Sequence, residues 1–199
     1  MTPERGRPAG SWTAAELGVH PVIGGGPMTA YIRRPHDKLL RAVLDPHVAD
    51  SRLVVVRGDP ATGKTRAVYE AIADRLADWS LEYPPTAAAL AARLEAGIPD
   101  RTVLWLGELR HYADADGGAA ALSRLDDLLE DEGRLVVTTI WPEQWDLYAA
   151  VARSGTGAGH PGGRPGQPRR RVGRRPVAGV AARGRGAGRG PRRGDQRGR

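Results

Sequence analysis

Three short runs of the chain are apolar throughout: Leu53-Val54-Val55-Val56, Val103-Leu104-Trp105-Leu106 and Leu135-Val136-Val137. They are rich in β-branched residues and bounded by polar ones, so they read as buried strands. Between them the periodicity changes to that of helices. Ala67, Val68, Ala71, Ile72 and Leu76 form one stripe after Lys64, and Leu122, Leu125 and Leu129 form another between Gly118 and Glu130. Leu40, Val43 and Leu44 share a face in a helix that starts near His36 or Asp37 and ends before Pro46. Thr86 is placed to cap a helix that runs to Ala96 and stops at Gly97. Residues 81–83 read as a short edge strand, and residues 141–151 as a last helix with Pro142 in its first turn. Fully apolar strands alternating with helices predict an α/β fold, with a mostly parallel sheet covered on both faces.

Two flanking segments do not follow this pattern. Residues 1–29 are rich in Gly and Pro, including Gly24-Gly25-Gly26-Pro27, and read as a linker with one ordered piece around Trp12 to Leu17. After Arg153 the composition becomes Gly, Arg, Pro and Ala, with no Leu, Ile or aromatic residue. Such a segment cannot bury enough apolar surface to offset chain entropy, so residues 154–199 are expected to be disordered and to add nothing to the fold. The organisation expected is therefore a linker over 1–29, an incomplete domain over 30–153 and a basic tail over 154–199.

Charge sharpens that division. The net charge of +7 comes from the tail, which has thirteen Arg and one acid, Asp195. Residues 1–153 carry 17 basic and 22 acidic groups, so the body shows no nucleic-acid-binding face. Any affinity for nucleic acid would be weak, salt-dependent and confined to the tail. Its composition is also what a GC-rich coding region gives when read out of frame. The absence of Cys excludes disulfides and thiolate metal sites. Residues 1–8 lack the apolar core of a signal peptide, and no apolar run approaches the ~18 residues of a membrane span, so the cytoplasm is the expected location.

The candidate chemistry lies between the first apolar run and the helix after it. Gly58-Asp59-Pro60-Ala61-Thr62-Gly63-Lys64-Thr65 is a complete G-x-x-x-x-G-K-[ST] phosphate-binding loop in the strand–loop–helix context that the pattern requires. The glycines let backbone N–H groups turn inward around anionic oxygens, and the helix adds its positive end. Lys64 is expected at the β- and γ-phosphates of a nucleotide and the Thr65 hydroxyl at Mg²⁺. Asp59 and the preceding Arg57 are assigned no side-chain role. Glu108, at the end of the second apolar run, is a candidate general base for an attacking water. Thr138 and Thr139, at the end of the third run, are candidates for sensing the γ-phosphate.

These pieces resemble the nucleotide-binding domain of the STAND class, the signal-transduction ATPases with numerous domains, as found in multidomain regulators of actinomycetes. The likeness rests on Tyr31-Ile32-Arg33-Arg34-Pro35-His36-Asp37, the phosphate loop with Arg66 and Tyr69-Glu70-Ala71, Val103 to Leu109, and Thr139-Ile140-Trp141-Pro142-Glu143-Gln144-Trp145. It implies a P-loop three-layer sandwich that binds ATP with Mg²⁺, hydrolyses it weakly and works through protein partners or self-association. It implies that the segment around Arg33 and Arg34 helps to cover the nucleotide base, that Glu108 is the Walker B acid and that Thr139, or Thr138, is the sensor-like polar group. Gly107 stands where the class usually has an acid. The resemblance also implies a further strand and a lid after residue 150, and neither is visible in the sequence. Alternative readings are a simpler P-loop kinase, a non-specific nucleic-acid-binding protein acting through the tail, and a non-functional remnant.

Overall fold

The computed structural model describes residues 6–20, 30–47, 50–130, 132–155 and 178–182. The three apolar runs form β2 (Arg52–Gly58), β4 (Thr102–Glu108) and β5 (Arg134–Ile140). β3 (Ser80–Glu82) lies beside β4. The helices are α1 (Pro35–Val43), α2 (Lys64–Arg75), α3 (Ala87–Ala96), a single turn α4 (Arg110–Ala113), α5 (Gly118–Glu130) and α6 (Pro142–Gly155). Two more strands close the sheet, β1 (Arg7–Pro8) and β6 (Ala178–Ala182), giving the order β1-β3-β4-β5-β2-β6. All pairings are parallel except β1 with β3.

The α/β class and the mostly parallel sheet agree with the hydrophobic pattern, and so do the local stop signals. The Thr86 hydroxyl accepts the Ala89 N–H at 3.1 Å, and α3 ends at Gly97 with φ +82°. Alternate residues of each strand face opposite ways. Val54, Val56, Val103, Trp105, Leu135 and Val137 pack against α1 and α2 on one face. Leu104, Leu106 and Val136 pack against α3 and α5 on the other. Each fully buried Val or Leu contributes about 1.5–3 kcal/mol relative to exposure. The scaffold that carries the loop between β2 and α2 is therefore held from both sides.

Two expectations need correction. The ordered piece expected around Trp12 to Leu17 is there, but it extends over residues 6–20 and is docked on the domain, so this stretch is not a linker. Ala9 N–H donates to Trp79 O at 2.8 Å, Gly10 N–H donates to Ala77 O at 2.9 Å, and Ala9, Ala14, Leu17 and Val19 are buried. Few apolar residues are enough there because they add to a core already built by α2 and β3. In this segment the Glu16 carboxylate is held down at about 2 by its hydrogen bonds from Arg7 and Thr13. The rest of the linker assignment, residues 1–5 and 21–29, lies outside the described residues. Within residues 154–199, expected to add nothing to the fold, residues 178–182 form β6, in parallel register from Val54↔Ala178 to Gly58↔Ala182. Its sequence, Ala178-Gly179-Val180-Ala181-Ala182, carries neither Arg nor Pro. An edge strand gains its ladder through backbone groups, so small side chains suffice. Residues 156–177 and 183–199 lie outside the described residues.

Candidate phosphate-binding site

The parallel strands β2, β4 and β5 all end on one side of the sheet. From β2 the chain leaves through α2 on one face; from β4 it leaves through α5 on the other. Open α/β sheets bind ligands outside the carboxyl ends of their strands. Residues 58–65 leave that end of β2.

The loop conformation follows from its sequence. Gly63 has φ +82°, a left-handed backbone that glycine adopts at little cost. Ala61 is left-handed as well, at φ +57°, which is rare for a residue with a side chain and stores strain. Asp59, Pro60 and Ala61 are exposed, so they contribute backbone rather than side chains. The Thr62 hydroxyl donates to Asp59 O at 2.8 Å and ties the turn together.

Lys64, the first residue of α2, is buried, with 7% of its surface exposed. Its Nζ donates to Gly58 O at 2.7 Å and to Asp59 O at 2.8 Å. An ammonium has three donors, so one proton remains to be shared. Burial pushes the Lys64 pKa below its usual range, and the charges of Glu108 and Asp59 offset part of that shift. Thr65, next along the helix, is half-buried.

Glu108 and Thr139 are register partners across β4 and β5, and Thr139 pairs in turn with Val56 of β2. The acid, the hydroxyl and the strand feeding the loop thus form one row. A bulge between Trp105 and Gly107 sets this alignment, with Gly107 left-handed at φ +59°. The Gly107 carbonyl accepts from Thr138 Oγ1 at 3.0 Å and from Thr139 Oγ1 at 3.2 Å. Both candidate sensor hydroxyls therefore bind the bulge. Gly107 is more than a missing acid: its backbone conformation is one that glycine suits.

Of the two arginines ahead of α1, Arg33 is exposed, and Arg34 reaches the loop by donating from Nη1 to the Thr62 carbonyl. Arg110 lies over the Trp141 ring, 5.2 Å from its centroid, and Tyr148 OH donates to Asp114 Oδ1 at 2.8 Å. Glu108 Oε1, Arg110 Nε and Gln144 Oε1 are buried without hydrogen-bond partners. Trp141, just before α6, and Gln144 and Tyr148 within it fall at helical spacing, a signal that could have drawn attention to them.

A separate concave space of 460 Å³ at the β1–β3 edge, lined by Trp12, Leu81, Tyr83, Pro84 and Arg93 among others, includes no loop residue. Among the described residues no helix is long and apolar enough to cross a membrane. The chain matches no protein-family model, and no curated protein matches it.

Proposed function

We propose that this chain is an ATP-binding P-loop domain of a regulatory protein, of the STAND type. The observation that carries the reading is the burial of Lys64 at the start of α2, its ammonium folded onto the carbonyls of Gly58 and Asp59 at the end of β2. A desolvated cation beside a helix N-terminus and a left-handed glycine turn is a costly arrangement unless an anion completes it. The order of the strands adds support. β5, with Thr138 and Thr139, lies between the loop strand and the strand that ends in Glu108. A further strand, which the resemblance leads one to expect, lies on the other side of β2 as β6.

Mg²⁺ fits the residues present. The Thr65 hydroxyl and the Glu108 carboxylate are the oxygen donors at hand, and the unpartnered Glu108 Oε1 leaves an acceptor for a bound water. Bound Mg²⁺ would neutralise charge on the β- and γ-phosphate oxygens. In this reading Lys64 gives its third N–H as a hydrogen bond to phosphate, and loop N–H groups hold the oxygens. Glu108 takes a proton from a water whose oxygen bonds to the γ-phosphorus as the bond to the β–γ bridging oxygen breaks and ADP leaves, and the Thr139 hydroxyl sits on the same row as that acid. No acid stands at Gly107, so binding outlasts turnover, as suits a switch.

Titrating ATP with Mg²⁺ into the full chain tests the proposal. A ligand present at a hundred times its Kd stabilises by about 2.7 kcal/mol, so the thermal midpoint should rise with ATP concentration. A midpoint that stays flat up to millimolar ATP would overturn it.

A further inference from the structure

The geometry points to Arg34 as a positioning residue that orients the Thr62–Gly63 peptide for phosphate, held in place by Asp37 and Tyr31. This rests on the reading of residues 58–65 as a phosphate loop. The chain of contacts is continuous. Tyr31 OH donates to Asp37 Oδ1 at 2.8 Å, and the backbone N–H of Arg34 donates to Asp37 Oδ2 at 2.7 Å. Asp37 is buried, with 6% of its surface exposed, and His36 Nε2 lies 3.4 Å from its Oδ1. Both carboxylate oxygens are thus committed, which fixes the Arg34 backbone at the start of α1. From there the guanidinium spans 28 residues of sequence to the Thr62 carbonyl. Its nitrogens lie 3.4 and 3.5 Å from the point where a Cβ on Gly63 would stand.

That contact has a directional consequence. A trans peptide is planar, and its C=O and N–H point in opposite directions. The described residues contain no cis bond. Holding the Thr62 carbonyl on Arg34 therefore aims the Gly63 N–H away from the guanidinium. Loops of this kind bind phosphate through N–H groups turned to one side. A flip of the 62–63 peptide changes ψ of Thr62 and φ of Gly63, and glycine at 63, now at φ +82°, tolerates φ of either sign. Arg34 removes that freedom before any ligand arrives, which is a preorganising role. It differs from covering the base, the role the resemblance implies for this segment.

The test combines backbone ¹⁵N relaxation with binding of inorganic tripolyphosphate, which has no base, on the full chain. In the ligand-free wild type the Gly63 N–H order parameter should lie in the rigid range, about 0.85, and in Arg34→Ala below about 0.6. Arg34→Lys keeps one charged donor and should restore much of the rigidity. Tyr31→Phe, the mildest change, should fall between wild type and Arg34→Ala. Amides in β4 should not respond, which separates this effect from general loosening. Arg34→Ala should weaken tripolyphosphate and ATP alike, by about tenfold. A Gly63 amide as rigid in Arg34→Ala as in wild type would overturn the inference. So would a loss of ATP affinity with tripolyphosphate unaffected, which would place Arg34 on the base. If the wild type bound neither ligand, the nucleotide reading would fall, and the order parameters would still decide whether Arg34 orients the peptide.

Discussion

Replacing Gly107 with Ala probes the link between the bulge in β4 and the position of Glu108. A Cβ at residue 107 would meet Tyr83 Oη at 3.7 Å and Trp105 Nε1 at 3.9 Å, both ordinary contacts, so steric overlap contributes nothing. The cost lies in the backbone. At φ +59° a residue with a side chain is about 1–2 kcal/mol less stable than glycine. Asn and Asp, whose short polar side chains tolerate this region, should cost less. For a chain of this length that is a fall of about 2–8 °C in thermal midpoint for Gly107→Ala. Gly107→Asn and Gly107→Asp should fall less. Urea unfolding is the assay, read as a shift in midpoint at constant m-value. Relief of the strain by loss of the bulge would move Glu108 out of register with Thr139, and turnover would then drop with stability. A neutral Gly107→Ala, or an Ala variant more stable than Asn, would refute this account of the bulge.

Three further outcomes are expected. Glu108→Gln keeps the shape but loses the base, so ATP hydrolysis should fall while ATP affinity holds in an equilibrium titration; turnover that survives the change would remove Glu108 from the mechanism. Leu17→Ala should cost about 2–5 kcal/mol in urea unfolding, because Leu17 is 2% exposed in the core beneath the docked N-terminal segment; a cost within ±0.5 kcal/mol would return the segment to the status of a linker. Ending the chain after Gly155 removes β6 and bares the edge of β2 from Val54 to Gly58, so the thermal midpoint should drop; an unchanged midpoint would mean that β6 adds nothing.

The parts of the fold written in local signals were legible. The turn over residues 58–65 sits between a strand and a helix as the pattern there predicts, and the Thr86 cap and the Gly97 stop act within one turn. The buried strands show as runs because both their faces are covered. What the sequence hid depends on partners far along the chain. Ala9 and Leu17 are core through a cluster that includes Leu76 and Trp79, some sixty residues along the chain. Composition hid β6, since five small residues need only a free strand edge to pair. The absence of an acid at Gly107 was visible, but the bulge that suits glycine was not, because strand register is a relation between β4 and β5. The choice between Arg33 and Arg34 turns on which neighbouring side chain faces the loop, a matter of orientation that no spacing encodes.

Whether Lys64 binds phosphate is read most directly from the ATP affinity of Lys64→Ala beside the wild type. Loss of a charge-assisted hydrogen bond to phosphate costs about 1.5–3 kcal/mol, roughly a ten- to hundredfold fall in affinity. Burying the ammonium with only two carbonyl partners is unfavourable in the free protein, so Lys64→Ala should cost the fold little. A folded variant that binds ATP ten- to a hundredfold more weakly is the predicted result. A folded variant that binds ATP as tightly as the wild type would contradict the account.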